Sequence, residues 1–423
     1  MNDSSVTTCI PPVPTSLPLP EAWVGFDWGD RRHAFAIQDC SGQKWIGSLD
    51  HSPEHLHHWL KELGQKYRSV FLAIEGTPAP VMAVMVQYPW LTLYPINPAS
   101  SDRFRKAFAP SGAKDDLPDA QVLLDMVRSH ADKFRPWEAP DSQTYKLDNL
   151  VQARRAMVDR RTKTLQRLTT LLKSYYPQAL CLLTDLNTAM ALEFLRRWPD
   201  LLSLKAARPS TIRAFYYKHN VRSETLVQQR LHAISQALAL TTDEAFVSVR
   251  VMQVQELVDE LAVLQKHIPK FDEAIERTFR QHPEAHLFRE LPGAGKQMAP
   301  RLCVAFGTDR QRFASAATLQ KHAGVAPVVE KSGQQCWVHW RWNAPRFLRQ
   351  TLVEWAGLSI QWSAWAKRYY HHMAQKKKKH AVILRALAFK WLRILWKCWQ
   401  TNTPYNEERY LQTLARRNSH YAS

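Results

Sequence analysis

The sequence predicts an α/β domain followed by two predominantly helical regions, and three observations predict it. Up to about residue 140, short apolar runs alternate with stretches of helical spacing. From about 143 to 282 the strand signal vanishes and apolar residues recur every three to four positions. After Leu291-Pro292-Gly293-Ala294-Gly295, mixed helical patterns run on to a basic helix over Ala381–Trp399.

Residues 1–20 hold Pro11, Pro12, Pro14, Pro18 and Pro20 and read as a disordered tail. Trp23–Asp27 is a short apolar strand. Ala34–Gln38 and Lys44–Leu49 are two more, with Asp39–Gln43 as the turn between them. Residues 53–66 place Leu56, Trp59, Leu60 and Leu63 at helical spacing. Val70–Ile74 is a continuous apolar run, as in a strand buried on both faces. A short helix over 79–87, a strand over Leu91–Ile96 and a further helix complete the domain. Meander strands followed by β-α alternation give a mixed sheet with helices packed on it.

In the second region one seam runs Leu147, Val151, Val158, Leu165, Leu168, Leu172, Tyr175. Another runs Val254, Leu257, Leu261, Leu264, Ile268, Phe271, Ile275. Such heptad-like spacing predicts long antiparallel helices or a coiled coil. Arg154 and Arg161 interrupt the first seam and Pro269 the second, so the packing is expected to be imperfect or bent. Pro177–Thr241 reads as shorter helices with turns. The expected organisation is a tail over 1–20, an α/β domain over 21–140, a helical or coiled-coil domain over 141–284, a mostly α domain over 285–400 and a basic tail over 401–423.

The formal net charge is +19 over 423 residues, which calls for an anionic partner, most simply nucleic acid. From Arg341 to Ser423 there are 16 Lys and Arg against three acids, so +13 of that charge lies in the last fifth. Nine of the 16 Trp lie between Trp337 and Trp399. Bases interleaved with large aromatics suit phosphate contact and stacking, although Trp391 fits a core better. Cys9, Cys40, Cys181, Cys303, Cys336 and Cys398 show neither zinc nor disulfide spacing and read as reduced cytosolic thiols. The N-terminus lacks a basic n-region, so it is not read as a signal peptide, and no run of about 18 apolar residues predicts a membrane span.

Asp27 and Glu75 each close an apolar strand, while Asp116 and Asp119 stand three apart, on one face of a helix. A metal-dependent nuclease of the RNase H/RuvC type needs four such carboxylates, which would share hard divalent cations and support two-metal phosphoryl transfer. Singly, each has a plainer reading. Asp27 and Glu75 also suit turns before Gly29 and Gly76, and Asp116 suits an N-cap with Asp119 as a first-turn acid beside Pro118. Ser332-Gly333, flanked by Lys331, is either an ordinary turn or a serine placed to attack phosphorus. Leu291 to Lys296 is similar to a helix-hairpin-helix turn that grips phosphate, or is a plain loop. Lys376, Lys377, Lys378 and Lys379 form a solvated basic run that His380, Arg385, Lys390 and Arg393 extend onto a helix. His33, His57, His58, His371 and His372 show no ligand spacing and are expected at the surface or at caps.

From about Val24 to Trp399 the chain resembles the DEDD transposases of the insertion-sequence-110 type, related to the Piv-like DNA invertases. The resemblance rests on Gly25-Phe26-Asp27, Ile74-Glu75-Gly76-Thr77, Ile96-Asn97-Pro98, Lys106-Ala107-Phe108 and Lys114-x-Asp116-x-x-Asp119-Ala120. Toward the C-terminus it rests on Leu291-Pro292-Gly293-Ala294-Gly295, Arg312-Phe313, Ala323-Gly324-Val325-Ala326-Pro327, Ser332-Gly333 and Phe347-Leu348-Arg349. It implies a RuvC-like (RNase H fold) catalytic domain, a coiled-coil middle and a C-terminal transposase domain. It implies Mg²⁺ on Asp27, Glu75, Asp116 and Asp119, and Ser332 as a nucleophile that links covalently to DNA. It further implies a structured non-coding guide RNA, donor and target DNA as partners, and a homodimer assembling into a tetramer with composite sites. A bacterial cytoplasmic, nucleoid-associated location goes with it. Candidate nucleic-acid contacts are Lys114, Lys296, Lys331, Arg349, the Lys376–Lys379 run and Arg385. The sequence departs from the family at Asp30, where Lys is frequent, at Asp115 and Leu117 in place of Thr and Arg, and by the added Pro118. Two other readings remain: a RuvC-like junction resolvase or nuclease using metal-activated water, and a non-enzymatic basic RNA/DNA-binding protein.

Overall fold

A computed structural model describes residues 19–76, 79–108, 116–138, 141–341 and 344–421, with the side chains of Ala79, Pro80, Phe108 and Asp116 also outside the description. It comprises two compact units, 1–139 and 140–423.

The first unit is a five-stranded mixed sheet with helices on both faces. The strands are β1 (Ala22–Asp27), β2 (Arg32–Asp39), β3 (Lys44–Asp50), β4 (Val70–Glu75) and β5 (Leu91–Ile96). Their spatial order is β3-β2-β1-β4-β5, antiparallel from β3 to β1 and parallel from β1 to β5. Helix α1 (Pro53–Lys66) begins where Ser52 accepts the His55 N–H and Pro53 supplies a preset first turn. Its Leu56, Leu60 and Leu63 join Val81, Met82 and Met85 of α2 (Ala79–Met85) under one face of the sheet, against Val24, Phe26, Leu72 and Ile74. Helices α3 (Pro98–Phe108) and α4 (Asp116–His130) follow β5. Alternation along the strands turns Phe71, Ala73, Ala34 and Ala36 to the other face, where Ala120, Leu123, Leu124 and Val127 of α4 cover them.

In the second unit, α5 (Ser142–Tyr175) and α11 (Glu244–Gln281) are a long antiparallel pair. Between them in sequence lie α6 (Gln178–Leu182), α7 (Ala189–Arg197), α8 (Leu201–Ala206), α9 (Pro209–Lys218) and α10 (Glu224–Gln236), which cap one end of the pair with an aromatic core around Phe194, Trp198 and Phe215. The seam of α5 is buried at its two ends but not through Val158 and Leu165. There polar pairs replace it: Arg154 to Asp272 at 2.5 Å, and Thr164 with Arg160 on Glu260. Pro269 lies within α11, which continues to Gln281.

The opposite end of the pair enters the C-terminal core, formed by α12 (Ala285–Arg289), α13 (Gly295–Phe306), α14 (Ala316–His322), α15 (Arg346–Ser359), α16 (Ala364–Gln375), α17 (His380–Gln400) and α18 (Glu407–Arg416). One element here corrects the sequence reading. Residues expected among mixed helices form a β-hairpin, β6 (Val328–Ser332) and β7 (Gln335–His339). The hairpin is almost wholly exposed, so neither strand carries the buried apolar face from which a strand is read. Four Trp belong to the core rather than to a stacking platform. Trp355, Trp365, Trp391 and Trp399 are buried, and each indole N–H is satisfied, by Pro292 O, Tyr405 Oη, Ser359 Oγ and Gly307 O respectively. The expectation that Trp391 is core is met.

Two polar clusters, the first half-buried, fix this unit. Glu354 of α15 accepts from Arg301 of α13 at 2.7 Å and from Arg155 of α5 at 3.1 Å. Glu354→Ala leaves two guanidiniums without their shared carboxylate, and a loss of about 2 kcal/mol is expected in urea unfolding. In the second cluster, Thr144 donates to Asp141 at 2.5 Å and faces His282 Nε2 at 2.7 Å. His282 Nδ1 accepts the Glu284 N–H at 3.1 Å and lies 3.3 Å from Cys303 Sγ. This arrangement uses the neutral Nε2–H tautomer, and burial lowers the His282 pKa below its ordinary 6.5. The unfolded chain therefore binds the proton more readily, so stability is full above about pH 6.5 and falls as pH drops below it. His282→Gln is expected to flatten part of that slope in urea midpoints taken from pH 7.5 to 5.

Candidate functional site

Strand alternation settles which acids meet. Trp23, Gly25 and Asp27 share one face of β1, and Phe71, Ala73 and Glu75 share the same face of β4. The two strands are parallel neighbours, registered through Phe26 and Ile74, so Asp27 and Glu75 finish side by side at their carboxyl ends. Helix α4 crosses this face and supplies Asp119. Its close approach is set by Gly25: a Cβ there would lie 1.9 Å from the Ala120 carbonyl oxygen.

Asp27, Glu75 and Asp119 line one cavity of about 240 Å³ with Ser101, Asp102 and Arg105 of α3. Ser101 donates to Glu75 Oε1 at 2.6 Å. Arg105 Nη1 donates to both oxygens of Asp119, at 3.0 and 3.4 Å, and Nη2 to Asp102 at 2.9 Å. Lys106 takes the other Asp102 oxygen at 2.7 Å. Hydrogen bonds from Lys106, then Arg105, hold the Asp102 carboxyl below its usual range. Of the four acids singled out by sequence, three share the cavity. The backbone of Asp116 opens α4, but its side chain lies outside the described residues, as does all of Lys114.

The donors suit a hard divalent cation in kind, since all are carboxylate oxygens, and the cavity has room for an ion with several waters at about 30 Å³ each. Among the described residues no three acids, histidines or cysteines are drawn close enough to ligate one ion together. Arg105 and Ser101 instead satisfy Asp119 and Glu75. Sequence reasoning missed Ser101, Asp102 and Arg105. Their signal was the i, i+4 spacing of Ser101 with Arg105 and of Asp102 with Lys106, just after Asn97-Pro98.

His33 is a correction. It is buried, not at the surface, because β2 points it inward against Phe26. Its Nδ1 accepts the Gly29 N–H at 3.2 Å, and its Nε2 lies 2.9 Å from His51 Nδ1. It thus braces the turn that leaves Asp27. Burial first, and His51 second, lower its pKa.

In the second unit Ser332 ends β6, paired with Gln335 across a two-residue turn in which Gly333 has φ +58°. The hairpin is exposed from Val329 onward, including Lys331. Arg349 and Arg385 both stack on Trp340, at 4.9 and 4.2 Å, just beyond the hairpin's base. Lys296 is exposed and pairs with Glu276 at 3.3 Å. Lys376, Lys377, Lys378 and Lys379 are exposed between α16 and α17. The turn at Gly293 packs on α15, where a Cβ would come within 2.9 Å of the Leu358 backbone. No helix of the described residues is long and apolar enough to cross a membrane.

Comparison with known proteins converges on one family. A family model of the DEDD IS110 type, described as a transposase, matches residues 24–177. A second, described as the transposase IS116/IS110/IS902 family, matches residues 285–371. The chain is 25% identical over 402 residues to the mini-circle putative transposase for IS117 of Streptomyces coelicolor, covering 91% of this chain and 95% of the relative. It is 24% identical over 381 residues to an insertion element IS116 protein of Streptomyces clavuligerus, covering 88% and 93%. It is 27% identical over 199 residues to the pilin gene-inverting protein of Moraxella bovis, covering 45% and 60%. With both segments matched on one chain and a relative aligned over most of it, this protein belongs to the IS110 family of transposases, enzymes that act on DNA.

Proposed function

We propose that the chain is an RNA-guided, Mg²⁺-dependent DNA recombinase that excises and inserts its own element through a serine–DNA intermediate. The observation that carries this reading is the convergence of Asp27, Glu75 and Asp119 on one cavity at the carboxyl ends of two parallel strands. The strand order β3-β2-β1-β4-β5 supports an RNase H-like domain around it. Asp27, Glu75 and Asp119, with Asp116, would hold the ions. Bound there, divalent metal supplies charge stabilisation for a pentacovalent phosphorus.

Ser332 is the proposed nucleophile, and its place at the tip of an exposed hairpin supports that role. Its Oγ forms a bond to phosphorus while the bond to the deoxyribose oxygen breaks, and that oxygen leaves as a hydroxyl carrying the proton. Attack by the hydroxyl of another strand reverses the sequence, releasing Ser332 without an external energy source. Donor and target DNA, a structured non-coding RNA and assembly of dimers into a tetramer are the proposed partners. The likeness to a gene-inverting protein supports strand exchange over simple cleavage. Denaturing the reaction and digesting the DNA is expected to leave a nucleotide on Ser332. Ser332→Ala is expected to give no adduct and no exchange. Equal exchange by Ser332→Ala overturns the assignment of Ser332 as the nucleophile.

A further inference from the structure

Arg105 occupies a contradictory position. Resting on the reading of the acids as metal ligands, Asp119 must present oxygens to a cation, yet both of its oxygens already lie against Arg105 Nη1, at 3.0 and 3.4 Å. A guanidinium and a divalent ion repel, and neither shares one small carboxylate readily with the other. Arg105 also has somewhere to go. Its second nitrogen is held by Asp102, whose other oxygen is anchored by Lys106. Asp102 is the more exposed of the two acids, at 39% against 22% for Asp119. The pair Asp102–Arg105 is thus a tether at the rim with a hand in the cavity.

We propose that Arg105 is the resident counter-ion of this site: it neutralises Asp119 until a divalent cation displaces it, and Asp102 keeps it at the cavity rim afterwards. Arg105 is then a positioning residue that sets the metal threshold of the enzyme. In the absence of metal its charge offsets part of the repulsion among Asp27, Glu75 and Asp119, which face one cavity.

The test is Mn²⁺ binding by the full-length protein without nucleic acid, read from the electron paramagnetic resonance of free Mn²⁺, alongside melting with and without Mn²⁺. Arg105→Gln is expected to bind Mn²⁺ roughly tenfold more tightly and to melt lower than wild type in chelator, with added Mn²⁺ closing the gap. Asp102→Asn is expected to weaken Mn²⁺ binding, because the untethered guanidinium settles wholly on Asp119. If Mn²⁺ binding depends on Asp119 but Arg105→Gln binds it no more tightly than wild type, the counter-ion role is wrong while the metal site stands. If wild type and Asp119→Asn take up Mn²⁺ alike, the acids are not the ligands and both ideas fall.

Discussion

Gly25→Val is expected to destabilise the N-terminal unit by more than about 3 kcal/mol and to lower its melting temperature by about 10 °C. The added Cβ alone would sit 1.9 Å from Ala120 O and 2.3 Å from Leu124 N, both backbone atoms of α4. No rotamer relieves a clash with backbone, so the helix must lift from the sheet. That lift uncovers Ala36, Ala120 and Leu124, all fully buried, and moves Asp119 off the cavity. Strand cleavage is therefore expected to disappear even where folded protein survives at low temperature. Gly25→Ala, with the same Cβ and no branches, is the graded control: a smaller melting shift with activity still severely reduced. An unchanged melting curve for Gly25→Val would show that α4 does not bear on β1 as described.

That contact also shows what the sequence made legible. The five strands follow from short apolar runs and α1 from a period-3.6 apolar pattern, and the strand ends at Asp27 and Glu75 follow with them. A close approach of two backbones leaves no pattern of its own. Gly25 was visible as part of Gly25-Phe26-Asp27, but not as the seat of α4. The counter-ion Arg105 was hidden for a related reason. Its partner Asp102 stands three residues before it on α3, but Asp119 belongs to α4, whose placement against α3 is a tertiary fact, so only the local half of the network, Asp102 with Arg105 and Lys106, can be read from spacing. The hairpin at Ser332 was obscured by its exposed strands, which carry no apolar face, and His33 by the weak burial prior of an isolated histidine.

Glu75→Gln separates charge from shape at the cavity, and it is expected to reduce divalent-metal-dependent strand cleavage by about 10³-fold or more with the fold intact. Glutamine keeps an Oε1 that can still accept the Ser101 hydroxyl, now at 2.6 Å from the carboxylate. It also removes the repulsion of Glu75 with its strand neighbour Asp27, so stability is expected to change by less than about 1 kcal/mol. Ser101→Ala makes the reverse change, preserving the negative charge while deleting the hydrogen bond, and a loss of about tenfold is expected. Single-turnover cleavage of the element's DNA ends, with the proposed guide RNA supplied, measures both, and Ca²⁺ in place of Mg²⁺ serves as the uncleaved reference. The order of the two effects decides the role of Glu75. A carboxylate that serves to bind a cation loses everything with its charge and little with its hydrogen bond. One that only holds α3 in place through Ser101 suffers equally from both changes, and that outcome would leave the N-terminal unit as a scaffold.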